Sequence, residues 1–413
     1  MNKNTTYLAS MADALDLFEP GNTLYIPGAS SEPRALVEAL ASAAQDMNDL
    51  HVVSGFVSGI NNIPLADDGN RIRETVFFPR PKQHALAHKI HLLPLTYYGI
   101  NNYLAACDFD WAIVQVSPPN PQGQCSLGVS AEFQCTAITR ARRILAVINR
   151  HMPFLPNSPH LHLGQFDCTV EEDFPLISYD TGEVDAVSNR IAAHLAELIE
   201  PYSVIQTGLG KVPDKLLANL SDQKNLRFHS GMISDGFITL LDSGALDPDF
   251  AHTTCCALGS SDFYRRLANI DGLTIKGVDV THAPRTLAAM DHLVAINSGL
   301  EVDLFGQANL EMASGRQVSN VGGAADFARF ASVGKQGKSI IALPATAGKG
   351  KFSRIVTSLG TGTMTSLPRY DVDYVVTEFG IAELKNRSLP QRAAALAAIA
   401  APEFRDALLA TGR

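Results

Sequence analysis

Short apolar and β-branched runs punctuate the chain at Leu24–Ile26, Trp111–Val116, Ile144–Ile148, Val204–Ile205, Leu273–Ile275, Leu293–Ile296, Ile340–Leu343 and Tyr374–Val376. They are too short for buried helices, so each predicts a strand. Their near-continuous apolarity predicts strands covered on both faces. Amphipathic stretches lie between them. Leu36, Val37 and Leu40 follow Pro33, and Leu216, Leu217 and Leu220 follow Pro213. Proline in a first turn, followed by apolar residues at helical spacing, predicts a helix after each of these turns. Strands alternating with such helices predict an α/β fold of open, mostly parallel sheets. Ligands of such folds sit beyond the carboxyl ends of the strands.

The same pattern occurs twice. A strand, a turn opening on Gly28, and a helix containing Pro33 and Leu36 correspond to a strand, a turn opening on Gly208, and a helix containing Pro213 and Leu216. Ser54-Gly55 corresponds to Ser230-Gly231, and the strand entered at Asp110 corresponds to the strand entered at Asp291. The offsets are 180, 176 and 181 residues (28 to 208, 54 to 230, 110 to 291). Three matches in one order at nearly one offset predict a duplication into α/β domains over 1–185 and 186–413, with a ligand cleft between them. Pro153, Pro156, Pro159, Asp167 and the acidic run Glu171-Glu172-Asp173 read as a long connector, ahead of a helix over Val187–Glu200.

The chain has 413 residues, enough for two domains of ordinary size, and a net charge of -9. That charge argues against a broad basic face, so nucleic acid is not expected as a partner. No apolar stretch reaches membrane-spanning length and no signal core opens the chain, so a cytoplasmic protein is expected. The six cysteines form no C-x-x-C pair. His84, His88 and His91 fall at i, i+4 and i+7 and would share a helix face, but no acidic or cysteine partner stands at motif spacing, and no metal is expected. A homo-oligomer, by default a homodimer, is expected from the commonness of closed two-fold assemblies.

Two glycine turns could carry chemistry. Gly208-Leu209-Gly210-Lys211 follows a strand and opens a helix, which brings backbone amides toward an anionic or polar ligand. It lacks the Gly-Lys-Ser/Thr ending of a phosphate-binding loop, and Pro213 replaces the third glycine of a dinucleotide loop. Asn320-Val321-Gly322-Gly323 enters a second helix, with Asp326 in its first turn, and its amides could form an oxyanion site.

A longer series of motifs resembles the acetyl-CoA hydrolase/CoA-transferase family, of the 4-hydroxybutyrate CoA-transferase kind. Asn297–Glu311 resembles its N-S-A-x-E-x-D-L-x-G-Q-x-N-x-E stretch, and Val318–Phe327 resembles its S-G-x-G-G-Q-x-D-F loop. Ser353–Val356, Pro368–Val372 and Val376–Ala382 follow in family order. Gly208–Pro213 resembles the G-x-G-x-x-P element, and Ser117-Pro118, Gly123 and Ser126–Gly128 resemble the first-half segment. The resemblance implies a tandem CoA-transferase-type (NagB/RpiA-like) fold. It implies acyl-CoA as substrate, a small carboxylic acid as a further partner, and ping-pong transfer through an acylated glutamate.

At the nucleophile the sequence departs from that pattern. The family reads H-[ST]-E-M-x-S-D-G where this chain reads His229-Ser230-Gly231-Met232-Ile233-Ser234-Asp235-Gly236, so Gly231 stands where the resemblance expects the glutamate. Asn320 replaces the first glycine of the oxyanion loop. One reading is an altered transferase or hydrolase, with water or another carboxylate at the Gly231 gap and His229, on the same side of an extended strand, as a candidate base. The other is a non-catalytic acyl-CoA-binding protein or subunit. Gly208, Gly210, Asn320, Val321, Gly322 and Gly323 are expected at the CoA and oxyanion positions. Glu301, Asn309, Glu311 and Lys351 are expected in the cleft. Lys211, Arg329, Lys335, Lys338, Lys349 and Arg354 are further basic candidates for the CoA phosphates, Asp235 and Glu378 further carboxylates. Phe56, Phe78, Tyr97, Tyr98, Tyr103 and Met232 are candidate apolar liners.

Overall fold

The computed structural model describes residues 5–46, 49–80, 85–180 and 182–411. They group into two compact units, Met1–Tyr179 with Thr253–Val280, and Asp180–His252 with Thr281–Arg413. The first unit holds a sheet in the order Thr6–Leu8, Cys168–Glu172, Ala141–Asn149, Phe109–Val116, Thr23–Ile26, His51–Ser54, Arg73–Val76 and Ile90–Leu92. Every pairing in it is parallel. Helix Arg34–Ala43 lays Leu36, Val37 and Leu40 onto Leu24, Ile26 and Trp111 of this sheet. Trp111 is clamped by the edge of Phe18 at 6.1 Å and the guanidinium of Arg143 at 4.2 Å.

Within the second unit the strands run Arg227–Ile233, Val204–Thr207, Leu293–Ser298, Lys338–Ala342, Tyr374–Thr377 and Gly380–Glu383. They pair in parallel except for the closing hairpin of the last two. The first five repeat the order of His51–Ser54, Thr23–Ile26, Phe109–Val116, Ala141–Asn149 and Cys168–Glu172, so the duplication read from three motifs extends to the sheet topology. All eight apolar runs form strands, and helix Lys211–Asn219 buries Leu216 and Leu217 as its counterpart Arg34–Ala43 buries Leu36 and Val37.

Two expectations are corrected. The segment read as connector contains strand Cys168–Glu172, inside the first sheet. Cys168 and Val170 join the core while the acidic residues beyond them disguise the run. His88 and His91 share no helix: residues 85–89 are turns, and His91 lies in strand Ile90–Leu92, where period two replaces the helical spacing. His84 lies outside the described residues. Among the described residues, no helix is long and apolar enough to cross a membrane.

The first unit buries a carboxyl group that gives stability a pH dependence. Glu132 accepts hydrogen bonds from Tyr97 Oη and Ser130 Oγ, both at 3.3 Å. Burial pushes its pKa up to about 7, against the smaller lowering by those two donors. The native state therefore holds this proton at pH values where the unfolded chain has lost it. Stability is expected to fall as pH rises from about 4.5 to 7, by on the order of 1 kcal/mol per pH unit for this group, and to level off above. Urea midpoints from pH 5 to 8 check this. Burial also pushes Glu32 and Glu172 up to about 7, so Glu132→Gln should reduce the slope by about a third, and an equal slope in the variant would remove Glu132 as a source.

Candidate active site

Gly231 lies near the carboxyl end of strand Arg227–Ile233, in the second unit. The preceding residue fastens it to the neighbouring strand: Ser230 Oγ donates to the Thr207 carbonyl at 2.8 Å and accepts from the Thr207 amide at 3.3 Å. That clamp sets the turn of Gly208 and Gly210 beside Gly231. Gly208 is exposed, with nothing within 4 Å of where its Cβ would stand. Gly210 has φ +133°, a conformation that favours glycine, and caps helix Lys211–Asn219. Lys211 of the same turn pairs with Asp185 at 3.9 Å. His229 is buried, and its Nε2 lies 2.8 Å from the Thr281 carbonyl. A carbonyl can only accept, so this nitrogen carries the proton and donates it there.

Opposite Gly231, Gly323 caps helix Ala324–Val333. In the turn before it, Asn320 Oδ1 accepts the Val321 amide at 2.9 Å, which occupies one of the donors expected to face an oxyanion. Gly322 is buried with φ +56°.

The two glycines meet on a residue that the sequence did not single out. A Cβ built on Gly231 stands 3.0 Å from His282 Nε2, and one built on Gly323 stands 2.6 Å from the same atom. The imidazole is 2% exposed, packs edge-on against Phe327 at 4.9 Å, and has Nδ1 2.9 Å from Thr281 Oγ1. Burial, with a smaller contribution from His229, lowers its pKa to about 3, so the ring is neutral at physiological pH. Nothing local in the sequence flags Thr281-His282-Ala283-Pro284. Only its contact with two glycines distant along the chain reveals it.

The remaining candidates divide by structure. Asn309 is fully buried: Oδ1 accepts the Glu311 and Met312 amides, and Nδ2 donates to Glu301 and to the Met312 carbonyl. Glu311 accepts Ser366 Oγ at 2.6 Å, and Glu378 accepts the Ala345 amide at 2.8 Å. Asp235 is exposed in the first turn of helix Asp235–Asp242. Glu301 and Lys351 line one cavity of about 770 Å³, together with Arg354, Met312, Phe352 and Phe404. Arg354 Nε is buried there without a hydrogen-bond partner, and burial lowers the guanidinium pKa against the opposing pull of Glu301 and Glu378. Such a donor over apolar walls suits an anionic group on an otherwise apolar ligand. Among the described residues, no three His, Cys, Asp or Glu side chains are grouped to hold a metal ion.

Comparison with known proteins matches residues 1–173 to the acetyl-CoA hydrolase/transferase N-terminal domain and residues 259–411 to its C-terminal domain. The chain is 39% identical to the 4-hydroxybutyrate coenzyme A transferase of Clostridium kluyveri, over 97% of this chain and 96% of that one. It is 30% identical to the succinyl-CoA:cyclohexane-1-carboxylate CoA transferase of Geobacter metallireducens, over 98% and 95%. Among solved structures it superposes on RipA from Yersinia pestis with a TM-score of 0.91 at 28% identity, covering 98% of this chain and 96% of that one.

Proposed function

Because the chain belongs to the acetyl-CoA hydrolase/transferase family, we propose that it acts on a short-chain acyl-CoA thioester, delivering the acyl group to water or CoA to a carboxylic acid, with no acyl-glutamyl intermediate at residue 231. The observation that carries this reading is the convergence of Gly231 and Gly323 on one imidazole edge, near the carboxyl end of a parallel strand. That is where an open α/β sheet receives its ligand, and where the family motif carries its nucleophile. A glycine has no side chain to acylate, so the attacking atom must come from water or from the acceptor. The relatives supply the substrate class: they include CoA transferases acting between acyl-CoA and carboxylates, and acetyl-CoA hydrolases.

The test is turnover of acetyl-, propionyl-, succinyl- and 4-hydroxybutyryl-CoA, with and without carboxylic acids, following free thiol and new acyl-CoA. Thiol release without an acceptor supports hydrolysis, and acceptor-dependent exchange supports transfer through a ternary complex. The depressed pKa of His282, which makes it a weak base, favours one second reading: acyl-CoA bound and not turned over. Affinity without turnover would establish that reading instead. The homodimer expected from the sequence is checked by native mass measurement.

We place the CoA phosphates or the substrate carboxylate on Lys351 and Arg354. Lys351 is exposed, so its truncation should leave the fold alone. Lys351→Ala is expected to raise KM for acyl-CoA about tenfold while changing kcat less, as the loss of one charge-assisted contact would. An unchanged KM would remove this cavity from the binding site.

A further inference from the structure

The cavity lined by Glu301, Lys351 and Arg354 opens beyond the carboxyl ends of two neighbouring parallel strands. Leu300 and Glu301 follow strand Leu293–Ser298, and Ala347 follows strand Lys338–Ala342. Ligands of open α/β sheets sit at that edge. The guanidinium of Arg354 has most of its donors unspent. Among the described residues it makes one hydrogen bond, a long one from Nη1 to the Gly299 carbonyl at 3.4 Å, and Nε is buried without a partner. Resting on the reading above, in which a carboxylic acid is a second substrate, we infer that this cavity is the acid's subsite: an acid with a hydrocarbon body docks its carboxylate on the Nε and Nη2 side of Arg354 and its hydrocarbon on Met312, Phe352, Phe404 and Leu408.

The fork of donors selects the group it takes. The Nε and Nη2 protons of a guanidinium lie in one plane and point the same way, at the spacing of the two oxygens of a carboxylate. Gly299 holds Nη1, so this other side is the one left for a ligand. A lone carbonyl oxygen would satisfy one donor and leave the other unpaired, which weakens binding. A phosphate monoester matches the fork but carries up to two charges. Glu301, whose Oε2 accepts Asn309 Nδ2 at 3.2 Å, lines the cavity, and Glu378 lies close enough to act on the guanidinium. The two cations of the site are thus already matched by two carboxylates. Such a site takes one added negative charge more readily than two.

The walls set the rest of the molecule. The cavity measures about 770 Å³, inside the range of about 300–1,000 Å³ that holds drug-sized ligands and far more than a two-carbon acid fills. Met312, Ile355, Phe404 and Leu408 supply hydrocarbon around the guanidinium. An acid with a longer or ringed body covers these walls as its carboxylate meets the fork, and the burial of each methylene adds to its affinity. Lys351, which is exposed, is left for the CoA phosphates. In this role Arg354 determines which acid the protein accepts.

The test is titration calorimetry of hexanoate, hexanamide, hexyl phosphate and acetate against wild type, Arg354→Met and Phe352→Ala. Wild type is expected to bind hexanoate about tenfold or more tightly than hexanamide or hexyl phosphate. Each methylene removed on the way to acetate is expected to weaken binding about fourfold. Arg354→Met keeps an apolar stem and loses the fork. It is expected to bring hexanoate down to the affinity of hexanamide, a loss of selectivity that a structural role alone would not produce. Phe352 is exposed, so Phe352→Ala should fold and weaken hexanoate and hexanamide alike, by about fivefold. Hexanamide or hexyl phosphate binding as tightly as hexanoate would overturn the inference. So would a wild type that does not bind hexanoate, or unchanged hexanoate affinity in a folded Arg354→Met variant. If that variant does not fold, unchanged affinity in Phe352→Ala overturns it. Hexanoate binding without acyl-CoA turnover sinks the enzyme reading and leaves this site standing. Acyl-CoA turnover without hexanoate binding sinks this inference alone.

Discussion

Gly323→Ala is expected to lower kcat/KM for acyl-CoA about 100-fold while leaving the fold in place. The added methyl would stand 2.6 Å from His282 Nε2, 3.0 Å from Cδ2 and 3.7 Å from Phe327 Cδ2. No van der Waals contact is that short, so the ring must move. It has little room to do so: it is buried, packed on Phe327, and in contact with Thr281 through Nδ1. Overpacking of this kind costs about 1–3 kcal/mol of stability. The backbone adds nothing, because Gly323 has φ -82° and ψ -6°, a conformation open to any residue. The catalytic loss follows from geometry, since Gly323 caps the turn expected to hold the oxyanion, and a shift of about 1 Å there can cost 100-fold. A melting curve and steady-state kinetics on the same preparation separate the two effects. Full turnover with an unchanged melting temperature would mean that the acyl group does not react beside Gly323.

The fold was legible because its signals are local. Leu24–Ile26 and Val204–Ile205 announce strands and Pro33 and Pro213 announce helix starts, each within a window of a dozen residues, and the Gly28/Gly208 and Ser54/Ser230 matches, 180 and 176 residues apart, announce the duplication. Where local pattern misled, the physics explains it. Glu171 and Glu172 made strand Cys168–Glu172 look like linker, although Cys168 and Val170 sit in the core. The spacing of His84, His88 and His91 suits a helix, but Ile90–Leu92 is an edge strand. The site was less legible. Gly231 and Gly323 could be named from motifs, yet what faces them is decided by tertiary contact. Nor does sequence reveal that the Val321 amide is held by Asn320, or that Asn309 closes its own turn. Those hydrogen bonds exist only once the backbone has turned.

Gly231→Glu alone is expected not to create a glutamate-based transferase, whereas Gly231→Glu combined with His282→Ala is. In the single variant the new Cβ meets Nε2 at 3.0 Å and Cε1 at 3.1 Å, before any of the carboxylate is placed. Either the imidazole is displaced from its packing on Phe327, or the carboxylate is buried against it. Overpacking and burial of a charged group each cost kcal/mol, so a loss of about 2–5 kcal/mol in stability is expected. An ion pair with a protonated His282 would lessen that loss but would tie the carboxylate to the ring and away from the acyl carbon. Removing the ring frees the volume. In the double variant the carboxylate can attack the thioester and expel CoA thiolate, which can then attack the glutamyl carbon of the resulting anhydride, releasing the donor carboxylate and leaving CoA on residue 231 as a thioester. Intact-mass measurement after mixing with acyl-CoA reads that adduct directly. Abundant adduct in the single variant would show that His282 does not exclude a side chain at 231. Absence of the adduct in a folded double variant would show that recovering the volume is insufficient, and that a glutamate here lacks further groups its chemistry needs. The expected result ties two positions far apart in sequence into one choice: glycine with histidine, or glutamate with a small residue.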